Sequence, residues 1–180
     1  RKILFILTFA CSIITLQAQN ANLRKSVEDG IKTSIQQTEN REWKEAFATC
    51  RALDGMIAVE EQKTKKAAPE LHYLVSKERL RMYMRLSNKQ KECKEQLAKM
   101  EDWAEKANSN EVSEDLLMSK AGYYQKFGMN DKSLQCYKEL VQRRSKGQDE
   151  QGVDKCFQDM LAQSKTNKNA SLTRALERLY

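Results

Sequence analysis

Apolar residues recur at spacings of three and four from about Leu23 to the end of the chain, and the pattern never changes to sustained alternation. This spacing is typical of amphipathic α-helices, because residues three and four apart lie on the same helix face. Polar or glycine-containing clusters interrupt the pattern at residues 38–40, 63–68, 87–88, 108–110, 128–130, 146–147 and 166–167. The pattern therefore predicts an all-α protein of about eight helices.

Two residues mark predicted helix ends. Pro69 suits the first turn of a helix, where a missing N–H costs nothing. Gly128 suits the position just after a helix, where positive φ is favoured. Since short connections between helices of similar length imply antiparallel neighbours, we expect a helical hairpin repeated along the chain.

Residues 113–147 form the clearest hairpin, with small residues where two helices must approach and large ones beside them. The residues that carry this pattern are Leu117, Ala121 and Tyr124, then Gly128 in the turn, then Ser133, Tyr137 and Leu140. Their order and spacing resemble the tetratricopeptide repeat family. Lys120 departs from that family, in which a leucine occupies the corresponding position.

The resemblance extends over nearly all of residues 19–180, with less regular units on both sides. Residues 70–107 repeat the arrangement, whereas units near 24–58 and 150–180 match it less well. The corresponding turns, at Arg41, Asn88 and Gly128, lie further apart than the family's period of about 34 residues, so longer helices are expected. The resemblance implies an α-solenoid of about four hairpins; a generic helical bundle or another α-solenoid is the alternative.

The first residues predict export. Arg1 and Lys2 precede an apolar run from Ile3 to Leu16, and Ala18 offers a small residue for cleavage. This layout is typical of a secretory signal peptide. A membrane-spanning helix needs about 20 apolar residues, and this run is shorter. We expect a signal peptide at 1–18 and a helical repeat domain at 19–180, in the periplasm or otherwise exported. Lipid attachment at Cys11 is the alternative.

Charge and cysteine use add little specific chemistry. The formal net charge of +7 falls to +5 without Arg1 and Lys2, and the basic stretches 63–66 and 143–146 lie at predicted helix ends, where cations complement the helix dipole. No nucleic-acid partner is therefore expected.

The cysteines outside the predicted signal peptide are Cys50, Cys93, Cys136 and Cys156. They are interpreted as small buried apolar residues, although an oxidising compartment permits disulfides.

The sequence contains no recognisable catalytic, metal-binding or cofactor-binding motif. His72 is the only histidine, no cysteine pair has the short spacing of a structural zinc site, and the six glycines are scattered. We therefore predict a protein that is not an enzyme and needs no cofactor. A helical bundle that acts as an enzyme or binds lipid would instead require a deep apolar cavity with convergent polar groups.

The resemblance implies a partner-binding groove along the first helix of each hairpin. Carried over to this chain, the groove residues are Glu78, Met82 and Arg85, and Asp115, Met118, Gln125 and Lys126. They imply a peptide or protein ligand, with the methionines as adaptable apolar contacts or, alternatively, as core residues.

The predicted function is an exported interaction module. An array of this kind also looks like the amino-terminal sensor region of certain bacterial transmembrane signalling proteins, such as histidine kinases or regulators. The apolar residues Leu176, Leu179 and Tyr180 close the sequence without a polar cap, although stacked repeats usually have one. We therefore expect a membrane-bound remainder, or a partner, to cover the last helix.

Overall fold

The computed structural model describes residues 2–146, 150–166 and 170–178, with side chains from residue 21 onward except at 156, 163 and 166. These ranges contain eight α-helices and no strand, which confirms the prediction of an all-α protein. The helices are α1 (Lys2–Glu39), α2 (Trp43–Thr64), α3 (Pro69–Arg85), α4 (Gln90–Ala107), α5 (Asn110–Lys126), α6 (Asn130–Lys146), α7 (Glu150–Thr166) and α8 (Ala170–Glu177).

The helix ends follow the predicted turn chemistry. Pro69 is the first residue of α3, and Gly128 follows α5 with φ of 73°. Gly128 N–H donates to Gln125 O at 3.1 Å and Met129 N–H donates to Tyr124 O at 2.8 Å, which is the hydrogen-bond pattern of a Schellman cap. The breaks predicted at 146–147 and 166–167 coincide with the ends of α6 and α7, and residues 147–149 and 167–169 lie outside the described residues.

The chain divides into two compact units, residues 1–82 (unit 1) and 83–180 (unit 2), with the boundary inside α3. In unit 1, α1 and α2 form an antiparallel pair that packs with α3. Gly30 permits this close approach, because a Cβ at that position would lie 2.6 Å from Leu53 Cδ2. The buried core of unit 1 consists of Val27, Ala46, Cys50, Leu53, Ile57, Leu71, Val75 and Met82.

The largest buried cluster described in unit 2 is formed by α5 to α8. Its buried members are Leu117, Ala121, Cys136, Tyr137, Leu140, Met160, Leu172 and Leu176. The small residues Ala121 and Ser133 are fully buried, and Tyr124 packs partly buried against the same core. The hairpin of α5 and α6 therefore packs as its pattern predicted.

Two features of unit 2 differ from what the sequence implied. Leu176, which was expected to need a partner or a membrane-bound remainder to cover it, is already buried in the core of its own unit, whereas Leu179 and Tyr180 lie outside the described residues. Lys120 occupies a leucine position of the family without disrupting the packing. It is half-buried, and its Nζ lies 2.7 Å from Glu101 Oε1 on α4. The ion pair thus compensates the burial of the ammonium group.

Candidate functional site

The seven residues predicted to line a groove differ in accessibility. Three are buried, namely Glu78 (4% exposed), Met82 (0%) and Gln125 (6%). Four are reachable from solvent: Asp115 and Met118 are half-buried, and Arg85 and Lys126 are exposed. A ligand can contact only the second group without rearrangement of the fold.

Glu78 lies in a buried polar cluster of unit 1. Its carboxylate accepts hydrogen bonds from Arg81 Nε at 2.7 Å and Arg81 Nη2 at 2.8 Å, and from Ser34 Oγ at 3.2 Å. The hydrogen bond to Glu78 raises the pKa of Arg81 and outweighs the opposing effect of burial. Ser34 on α1 also lies 3.7 Å from Cys50 Sγ on α2. The cluster therefore joins α1, α2 and α3, and the role of Glu78 in this structure is to stabilise the unit.

Met82 fills the core of unit 1, which is one of the two roles that the sequence left open for the methionines. Leu71, Val75, Glu78 and Met82 follow one another at spacings of four, three and four, so they share a helix face. That face is the buried one. The family pattern assigned Glu78 and Met82 to a groove, and their burial corrects this assignment. An alignment offset of one residue accounts for the difference, because it rotates a helical position by about 100°.

Gln125 is also an internal residue. Its Nε2 donates to Tyr137 Oη at 2.8 Å, and both side chains are buried. The hydrogen bond joins α5 to α6 beside the Gly128 turn. Because a buried amide needs such partners, Gln125 contributes to the fold of unit 2 and does not reach a groove surface.

The accessible predicted residues of unit 2 lie mainly on α5, which ion pairs hold in place. Arg144 on α6 donates from Nε to Glu114 Oε2 at 2.9 Å and from Nη1 to the carbonyl of Gly152 on α7 at 2.8 Å. Met118 packs against the core of unit 2 while remaining partly exposed. The α5 surface thus offers a thioether near the carboxylate of Asp115, on a helix that its neighbours position.

A cleft of about 500 Å³ lies beside the turn between α5 and α6. It is lined by Gly128, Met129, Asn130, Asp131, Lys132 and Ser171. Asn130 Nδ2 donates to Ser171 Oγ at 3.4 Å, and Lys132 Nζ lies 5.7 Å from the ring centroid of Tyr124. Sequence reasoning missed this cleft, because Ser171 lies forty-one residues beyond Asn130 and no local pattern joins them.

The described cysteines are internal. Cys50, Cys93 and Cys136 are buried and have free thiols, as their interpretation as small core residues requires. Burial raises the pKa of all three thiols, so they stay protonated near neutral pH and are poor nucleophiles. The side chain of Cys156, which was given the same interpretation, lies outside the described residues.

His72 takes part in the connection between α2 and α3. Its Nε2 lies 3.3 Å from Glu61 Oε2, and the other oxygen of Glu61 accepts the Ala68 N–H at 2.7 Å. These contacts explain His72 as a packing residue. In the part of the chain that the structure describes, no three or more His, Cys, Asp or Glu side chains converge as metal ligands.

None of the helices, over the described residues, is both long and apolar enough to span a bilayer.

A scan against protein-family models and searches of the curated proteins and of the solved structures found no match to this chain. Inferences about function therefore depend on the residues and geometry described above.

Proposed function

We propose that this chain is an exported protein-interaction module of tetratricopeptide-like helical hairpins that binds a peptide or partner protein non-covalently. The observation that carries the proposal is the recurrence of one turn geometry. Arg41, Asn88 and Gly128, which the sequence pattern placed at corresponding positions, all have positive φ, at 65°, 58° and 73°. Lys65 and Asn108 share this conformation, so a left-handed residue follows each helix from α1 to α5. Each helix from α3 to α7 also has 17 or 18 residues, as expected if one unit is repeated.

The proposed binding surface is the accessible part of α5 together with the adjacent turn. Asp115 and Met118 are three residues apart and so lie on neighbouring positions of one helix face. Lys126 is exposed at the end of the helix, and the cleft beside it adds Asp131 and Lys132. This combination suits a peptide or helix that carries an apolar side chain between charges of both signs. Binding of this kind requires no cofactor.

The test is a binding experiment with a charge-reversed α5 surface. The variant Asp115→Lys with Lys126→Glu keeps the net charge and reverses the order of charges along the helix. We expect a partner captured from the native envelope by the unchanged protein to bind this variant at least about tenfold more weakly, because attractive contacts become repulsive. Affinity is then measured by titration with the identified partner.

A matched control is available on α4. Lys99→Glu with Glu105→Lys exchanges two exposed charges of the same kinds outside the proposed surface, and it should bind normally. Far-UV circular dichroism checks that both variants remain folded. If the α5 variant binds as tightly as the control, the proposed surface is wrong.

A further inference from the structure

The outer face of α2 is unusually apolar for an exposed surface. Among the side chains that the structure describes, Met56 and Val59 are the exposed large apolar ones, at 44% and 50%. Ala48 and Ala52 are exposed on the same face. A Cβ added to the neighbouring Gly55 would meet no atom within 4 Å, so this region of the helix is open. The opposite face of α2 is the one that the core of unit 1 buries.

Charged residues of opposite sign close the two ends of this face. At 100° per residue, Glu45, Ala52, Val59 and Lys63 fall within an arc of about 40°. Glu45 and Lys63 are exposed and lie about 27 Å apart along the helix axis, at 1.5 Å per residue. Lys63 Nζ is 3.9 Å from Glu60 Oε2, a long contact that leaves the ammonium group able to pair with another carboxylate.

We propose that α2 is a self-association surface through which two copies of the chain pair antiparallel about a twofold axis. In the register whose twofold axis crosses α2 at the height of residue 54, Glu45 of each copy faces Lys63 of the other, while the Asp54 side chain lies on the far side of the helix and pairs with Arg79. The same register places Ala52 opposite Met56, so that this large side chain meets a small one. Charge and shape are thus complementary in a single arrangement.

The charge order disfavours the parallel arrangement. In a parallel pair of α2 helices, Glu45 would face Glu45 and Lys63 would face Lys63, and like charges at close range are repulsive. Met56 would also face Met56. A second copy therefore fits this face better in the antiparallel direction. A lipid surface fits it less well, because Glu45 would be placed against anionic headgroups.

Sedimentation equilibrium tests the oligomeric state of the protein. The protein is purified from cells that express the full 180-residue sequence. The face is short, so we expect a dimer with a dissociation constant on the order of 10 μM. Glu45→Lys or Lys63→Glu alone should raise this constant about tenfold, because each change turns two attractive contacts into repulsive ones. The double variant, with both charges reversed, should restore the original value within about twofold.

A chemical measurement checks the direction of the pair. After ¹⁴N- and ¹⁵N-labelled protein are mixed, a carbodiimide should link Glu45 of one copy to Lys63 of the other, and mass spectrometry distinguishes this product from links within a chain. Glu105→Lys and Lys99→Glu on α4 are the matched controls, and they should leave dimerisation unchanged.

Three results would overturn the proposal. The first is a protein that remains monomeric up to about 1 mM, a hundredfold above the expected dissociation constant. The second is a dimer that is insensitive to both single reversals. The third is a monomer that binds phosphatidylglycerol vesicles through Lys63, which would assign the face to a membrane. None of these results depends on the α5 surface, so the proposed function is tested separately.

Discussion

Unit 1 buries a carboxylate, whereas unit 2 buries a neutral amide. Glu78 in unit 1 is 4% exposed and is held by Arg81 and Ser34, while Gln125 in unit 2 is 6% exposed and bonds to Tyr137. An unpaired buried charge costs several times more free energy than an unpaired buried amide. We infer that the stability of unit 1 depends more strongly on a single side-chain contact than that of unit 2 does.

The two units also differ in how they form the same turn. Arg41 and Gly128 both have positive φ, and both donate from the backbone N–H three residues back, to Thr38 O at 3.1 Å and to Gln125 O at 3.1 Å. Glycine adopts this conformation without steric cost, but arginine does not. Arg41 therefore holds a strained conformation that Gly128 adopts without strain.

The largest expected effect comes from removing the partner of the buried carboxylate. Arg81→Met should lower the free energy of unfolding of unit 1 by about 3 kcal/mol, because the buried Glu78 carboxyl group loses both guanidinium hydrogen bonds. Tyr137→Phe should cost unit 2 only about 1 kcal/mol, since it removes one neutral acceptor of Gln125. Urea unfolding followed by the fluorescence of Trp43 or Trp103, the chain's two tryptophans, measures each unit when the other tryptophan is replaced by phenylalanine.

The double variant Glu78→Met with Arg81→Met is the control for this comparison. It removes the charge together with its partner, so it should be more stable than Arg81→Met alone. Equal losses for Arg81→Met and Tyr137→Phe would contradict the inferred difference between the units.

The turn residues give a smaller effect of opposite sign in the two units. Gly128→Ala should destabilise unit 2 by about 1 kcal/mol, because a Cβ is strained at a φ of 73° although no other atom crowds it. Arg41→Gly should stabilise unit 1 by a few tenths of a kcal/mol to about 1 kcal/mol, since relief of strain exceeds the added chain entropy. The same fluorescence experiment measures both variants, and a loss of stability in Arg41→Gly would contradict the interpretation of that turn.

The smallest expected effect is alkaline destabilisation through the buried thiols. The raised pKa values of Cys50 and Cys136 mean that the folded units hold these protons more tightly than the unfolded chain, whose thiols titrate near 9.0. This contribution to stability is therefore fully present well below pH 9 and declines as the pH rises toward and beyond 9, with a loss of at most about 0.4 kcal/mol per thiol at pH 9 itself. Cys50→Ala should flatten the pH dependence of unit 1 and Cys136→Ala that of unit 2. An unchanged slope in both variants would show that other groups are responsible.

Much of the local structure could be predicted from the sequence. Helix spacing, Pro69 and Gly128 fixed the positions of helices and turns, because periodicity and backbone preference act over a few residues. The residues of the candidate site were harder to predict from local sequence patterns. Glu78 and Gln125 are polar and were expected at the surface, yet each is buried. Tyr137 on the next helix satisfies Gln125, and Glu78 is satisfied by the distant Ser34 together with Arg81 of its own helix.

The amino-acid sequence by itself determined that this protein is all-helical, where its turns fall, and that the hairpin at 113–147 is the most regular. Only the tertiary structure decided which polar side chains are internal, that Leu176 is covered by its own unit, and that Met56 and Val59 remain exposed. The physical reason is that the two properties depend on contacts over different distances along the sequence. Helix formation depends on neighbours in sequence, whereas burial depends on which distant helices supply the remaining contacts.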